Sequence, residues 1–120
     1  MNWQQTVNDY GAAWHEPDTG KRLEILSGCF AEDGIYVDPS AMVKGRSNLC
    51  GHIAEVVHST GGKLELTSKA NGHNDVIHFT WRLVGADGSV LIAGHDFAHL
   101  DAEGKISYLA GFFGDPEPLG

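Results

Sequence analysis

Apolar positions in the first half of the chain recur with helical spacing. Trp3, Val7, Tyr10 and Trp14 stand at i, i+4, i+7 and i+11, which predicts a first helix ending before Pro17. Asp18 or Thr19 can cap a second helix, whose apolar stripe is Leu23, Leu26 and Phe30. Residues 35–38 then read as a strand that stops on Asp38. Gly45 opens a third helix with Leu49, Ile53, Val56 and Val57 apolar, and STGG closes it. Beyond Gly62 the period becomes two. KLELTS alternates, and DVIHFTWRLV sets Ile77, Phe79, Trp81 and Leu83 against His78, Thr80 and Arg82. GADGS and DAEGK turn the chain into VLIAGHDFAHL and ISYLAGFFG. Three helices followed by a mainly antiparallel meander predict an α+β domain. The sheet curves around the helices as a cone-shaped barrel with one open mouth.

VLIAGHDFAHL carries the first chemical signal. Val90, Ile92, Gly94, Asp96, Ala98 and Leu100 share a face on which Asp96 alone is polar. An isolated ionised carboxylate there is costly, so Asp96 is paired, hydrated or protonated, unless a bulge turns it outward. Protonated, it donates a hydrogen bond. Tyr10, on the buried stripe of the first helix, is either a core aromatic or a second donor to the same substrate oxygen. Asp38, locked against Pro39, either caps a turn or stands ionised at the mouth as a base. His52 lies one turn after Leu49, as a rim or core histidine or as a further acid/base group.

Composition narrows the setting. A chain of 120 residues suits one domain, 1–120, with a core and an internal pocket. No stretch approaches the roughly 20 apolar residues of a membrane span, and the first residues lack the pattern of a signal peptide. Cys29 and Cys50 sit in apolar helical contexts with no catalytic signature, which fits a soluble cytoplasmic protein without disulfides. A net charge of −8 argues against nucleic acid and anionic membranes as partners and for a neutral or weakly polar ligand. His95 and His99, four apart on a strand, stand about 13 Å from each other, too far to share a metal ion. STGGKL lacks the residues of a phosphate loop.

The same stretches carry a family resemblance. The order helix, helix, strand, helix, sheet resembles the nuclear transport factor 2-like superfamily, the cystatin-like cone shared by SnoaL-like polyketide cyclases and ketosteroid isomerases. YGAAWHEPD is similar to the ketosteroid isomerase segment with the catalytic tyrosine, which implies Tyr10. FAEDGIYVDP is similar to the segment ending in the general base, which implies Asp38, and HDFAHLDAEGK to that of the protonated aspartic acid, which implies Asp96. ISYLAGFFG resembles the closing strand, with Leu109, Gly111 and Phe113 toward the pocket. The aromatic outer face of His95, Phe97, Tyr108 and Phe112 suggests a homodimer, an arrangement frequent in the superfamily.

Together these imply proton transfer through an enolate on an apolar carbonyl compound, without cofactor or metal. Asp38 is the expected base, with Tyr10 and Asp96 as donors and His52 as a candidate second acid/base. Trp14, Phe30, Met42, Val56, Phe79, Trp81, Leu109 and Phe113 are expected to bind the substrate. The competing readings are a non-catalytic pocket for a hydrophobic ligand and a dimerisation module of the same fold.

Overall fold

The computed structural model describes residues 2–120. Helix α1 (Trp3–Ala13) begins at Asn2, whose side chain accepts from the Gln5 amide, and buries Val7, Tyr10, Gly11 and Ala13. Helix α2 (Thr19–Cys29) is capped by Asp18, which accepts from the Lys21 amide. Between them Arg22 is buried, with its Nε donating to the Ala13 carbonyl at 3.1 Å and its Nη2 to the Glu16 carbonyl. Its guanidinium thereby serves the carbonyl end of α1, where a positive charge is favourable.

Strand β1 (Phe30–Asp38) leaves α2 without a loop, five residues earlier than the apolar run announces. The first part of β1 is irregular. Its register with the last strand shifts between Phe30 and Ile35, and Gly34 makes room for the Phe30 ring, which a Cβ would meet at 2.5 Å. Strand β2 (Ala41–Lys44) folds back on β1, and helix α3 (Arg46–Thr60) follows Gly45 and ends at Gly61, which adopts the left-handed conformation. The remaining strands are β3 (Lys63–Leu66), β4 (Asn71–His73), β5 (Val76–Val84), β6 (Val90–Leu100) and β7 (Ile106–Phe113).

Seven strands form one sheet in the order β2-β1-β7-β6-β5-β3, with β4 also paired to β5. β1 and β7 run parallel and their neighbours antiparallel. The sheet packs against the three helices but does not close on itself: β2 and β3 remain its edges, so the expected cone is an open one. Val7, Leu26, Leu49, Ile53, Phe79, Ile106 and Leu109 are fully buried between the layers. Each large apolar side chain so buried contributes about 1.5–3 kcal/mol.

Two expected ligand contacts belong to this core. Phe30 starts a strand, is wholly buried and packs under Gly34. Leu109 lies opposite Ala98 in the packed end of the sheet. Met42 departs in the other direction: on edge strand β2 it is 75% exposed, away from the inner face.

Gly94 exposes how tightly β6 is fitted. A Cβ there would lie 2.3 Å from the Phe112 carbonyl oxygen and 2.6 Å from the Trp81 ring. Gly94→Ala is expected to destabilise the protein by the ~1–3 kcal/mol of an overpacked core. Thermal unfolding measures it, and an unchanged melting temperature would contradict the packing described.

Candidate active site

Asp38, Gly111 and Asp96 occupy one row across β1, β7 and β6. Asp96 faces Gly111 in the antiparallel ladder, and Val37 faces Ala110 one step earlier in the parallel one. A Cβ on Gly111 would lie 2.9 Å from Asp96 Oδ1 and 3.5 Å from the Asp38 Cβ. The missing side chain leaves the two carboxyl groups facing a common space.

That space is a cavity of about 230 Å³. Tyr10 of α1 and Trp14 at its end line it, with Tyr36, Asp38, Ser40, Val56, Ser59, Thr60, Trp81, Asp96 and Phe113. Phe79 stands behind the wall, fully buried and edge-on to the Tyr10 ring at 6.3 Å, rather than on it.

The two aspartates have unequal hydrogen-bonding surroundings. Asp38 Oδ1 accepts from both the amide and the hydroxyl of Ser40, each at 2.7 Å, and Oδ2 accepts from the Tyr36 hydroxyl at 2.5 Å. Donors thus converge on Asp38 as an ionised carboxylate requires. They fill three of its roughly four acceptor positions and leave one on Oδ2. Burial first, with the neighbouring Tyr10 and Asp38 adding to it, pushes the Tyr36 phenol far above its ordinary range, so it stays a donor. Alternation along β1 puts Tyr36 and Asp38 on the same side. Sequence reasoning missed this partner, although the spacing Tyr-x-Asp was there to be read.

Asp96 is 5% exposed, and its Oδ1 accepts from the Trp81 indole at 2.9 Å. Burial raises its carboxyl group to about 7; the Trp81 bond opposes the rise and the Asp38 charge supports it. With Oδ1 engaged, the proton of the neutral form sits on Oδ2. Tyr10 is buried as well, and desolvation, then the Asp96 charge, push its phenol well above the ordinary value.

His52 does not line the cavity. It lies along an outer groove with Met42, Val43 and Lys44, and its Nε2 is 4.0 Å from Asp38 Oδ2, beyond hydrogen-bond distance. The Tyr36 ring lies 5.3 Å from the His52 ring, and the His52 Nε2 is buried without a hydrogen-bond partner. Cys29 is buried, with its thiol pushed up to about 12 mainly by desolvation, and Cys50 is a buried free thiol. Among the described residues no cluster of His, Cys, Asp and Glu is arranged to hold a metal ion, and no helix is long and apolar enough to cross a membrane.

The raised Asp96 carboxyl has a consequence for stability. In the unfolded chain Asp ionises near pH ~3.9, whereas in the folded protein the proton is held to about 7. The folded state therefore binds the proton more tightly, and this contribution is complete below pH ~4 and lost as pH rises through 7. Relative to Asp96→Asn, the wild type is expected to lose up to ~1.4 kcal/mol of stability per pH unit across that window. Urea unfolding of both proteins from pH 5 to 8 measures the difference, and a constant difference would show that Asp96 is ionised throughout.

No protein-family model matches the chain, and no curated protein is significantly similar to it. Solved structures are. A SnoaL-like family protein from Agrobacterium tumefaciens, described as a proposed isomerase, is 29% identical, with a TM-score of 0.88 over 96% of this chain and 100% of that one. A nuclear transport factor 2-like protein of unknown function from an Exiguobacterium species is 24% identical, at a TM-score of 0.71 over 92% of this chain and 99% of the other. A proposed ketosteroid isomerase from Kribbella flavida is 17% identical, at 0.73 over 98% and 82%. The last two show the shared fold alone. With three helices on one curved open sheet and this agreement over nearly its whole length, the chain has the fold of the nuclear transport factor 2-like superfamily.

Proposed function

We propose that the protein is an enzyme that moves a proton on an apolar carbonyl compound through an enolate. The observation that carries this reading is the pair Asp38 and Asp96, facing one cavity across Gly111, the first accepting from three donors and the second buried with a single bond from Trp81. Asp38 takes a proton from the carbon beside the carbonyl, and the electron pair of the broken C–H bond moves to the oxygen. The Tyr10 hydroxyl and the Asp96 Oδ2 proton hydrogen-bond that oxygen as its charge grows. Asp38 then returns the proton to a different carbon, so no oxidant or reductant is consumed. Isomerisation, aldol-type cyclisation and dehydration all begin with this abstraction.

The size of the substrate follows from the cavity. At ~30 Å³ per water, 230 Å³ corresponds to about eight waters, and cavities of ~150 Å³ admit benzene. A carbonyl compound of one or two rings fits, held against Trp14, Trp81 and Phe113. The acidity of the chain suits a neutral ligand.

The same reading includes a second copy of this chain on the outer sheet face. Phe97, Tyr108 and Phe112 are about half exposed there beside His95, with Phe97 edge-on to Phe112 at 5.8 Å. The outward positions of β5, β6 and β7 carry no carboxylate of their own, and the Asp115 carboxylate beside them is paired with His95 at 3.2 Å. Phe97→Glu is expected to shift sedimentation to that of a monomer. A wild type that sediments as a monomer would end this part of the reading.

For the reaction, enolisable ketones of one and two rings are incubated with the protein in D₂O and α-deuteration is followed by NMR. Exchange is expected in the wild type and is expected to fall at least ~100-fold in Asp38→Asn, the usual scale for losing a general base. A ketone that binds and never exchanges would instead support a binding protein.

A further inference from the structure

We propose that the Trp14 indole N–H is a third hydrogen-bond donor of the cavity and selects ligands that place an oxygen beside Tyr10. This rests on the carbonyl-compound reading above and extends it from apolar contact to recognition. Trp14 is 93% buried by the complement of its 7% exposure, its ring lines the cavity, and its Nε1 is buried without a partner among the described residues. It follows Tyr10 by four residues, and its backbone is still right-handed helical where α1 ends, so the two side chains lie on one face. The indole lies near the Tyr10 hydroxyl, but no hydrogen bond of proper geometry joins them.

Trp81 makes the contrast. Both tryptophans line the same cavity, yet the Trp81 N–H is committed to Asp96 and the Trp14 N–H to nothing. A buried N–H without an acceptor is unfavourable, so a ligand that supplies one gains over a ligand of equal shape that does not. Tyr10, neutral Asp96 and Trp14 offer donors without a positive charge. Such a set fits a carbonyl, enolate or phenolate oxygen and penalises a plain hydrocarbon.

The probes are 2-naphthol, whose oxygen sits on an sp² carbon like that of an enolate, and naphthalene, which has the same rings without it. In ¹H–¹⁵N spectra of the wild type, with the indole signals assigned sequentially, the Trp14 Nε1–H is expected to move downfield with 2-naphthol and to stay within the shift seen for naphthalene otherwise. Trp14→Phe is expected to weaken 2-naphthol about tenfold and naphthalene less than twofold. If 2-naphthol outbinds naphthalene and Tyr10→Phe weakens it, but the Trp14 signal does not respond, this inference is overturned and the carbonyl site stands. If the wild type shows no preference for 2-naphthol, the carbonyl site falls and Trp14 with it. The spectral readout needs no variant and decides the matter even if Trp14→Phe fails to fold.

Discussion

A carboxyl group on the inner face of an apolar sheet must give up either its charge or its isolation, and Asp96 meets both demands through its neighbours. Desolvation favours the proton, while the Trp81 indole supplies a fixed partner for one oxygen. Trp81 can reach it because Gly94, directly opposite on β6, leaves the indole room to lie across the strand. Gly111 does the same on the other side, where any side chain would press on Asp96 Oδ1. One buried acid therefore dictates two glycines and a tryptophan, and those residues in turn define the cavity wall.

The helical side of the cavity depends on a different group. Tyr10 and Trp14 come from the last turns of α1, and the carbonyls there are met by the buried Arg22 rather than by a glycine turn. The guanidinium ties the end of α1 to the start of α2, so the positions of the two aromatic rings follow from a residue that never touches the cavity. Two carbonyl oxygens satisfy the Arg22 Nε and Nη2, while its Nη1 is buried without a partner.

Much of this was legible in the sequence because most elements bury one face. The alternation of Ile77, Phe79, Trp81 and Leu83, and of Gly94, Asp96, Ala98 and Leu100, places those residues inward in the sheet. The stripe of α1 likewise buries Tyr10 and Trp14. What escaped had no such signature. β2 follows a Pro-Ser turn and is four residues long, and β4 is three residues with a glycine at its centre; backbone ladders hold both. Phe30 fitted the helical stripe equally well, and nothing but the irregular start of β1 moves it into a strand. Within the site, Asp38 and Asp96 could be singled out from polarity against an apolar background. The Tyr36 bond to Asp38 depends on two side chains meeting at i and i+2, and the approach of His52 to the Tyr36 ring on contact between two elements; neither is encoded in periodicity.

The glycine between the two acids also bears on the flow of charge. Sheet geometry fixes their separation, and the Asp38 charge is one of the influences holding the proton on Asp96. In the proposed reaction that charge leaves Asp38 as it captures a proton and reappears on the substrate oxygen. The cavity as a whole keeps one negative charge throughout. The charge that Asp38 gives up arrives on the oxygen that the Asp96 proton already faces, so a donor stands where the charge appears. Base and donor thus share one charge across a bare stretch of backbone, with no moving part.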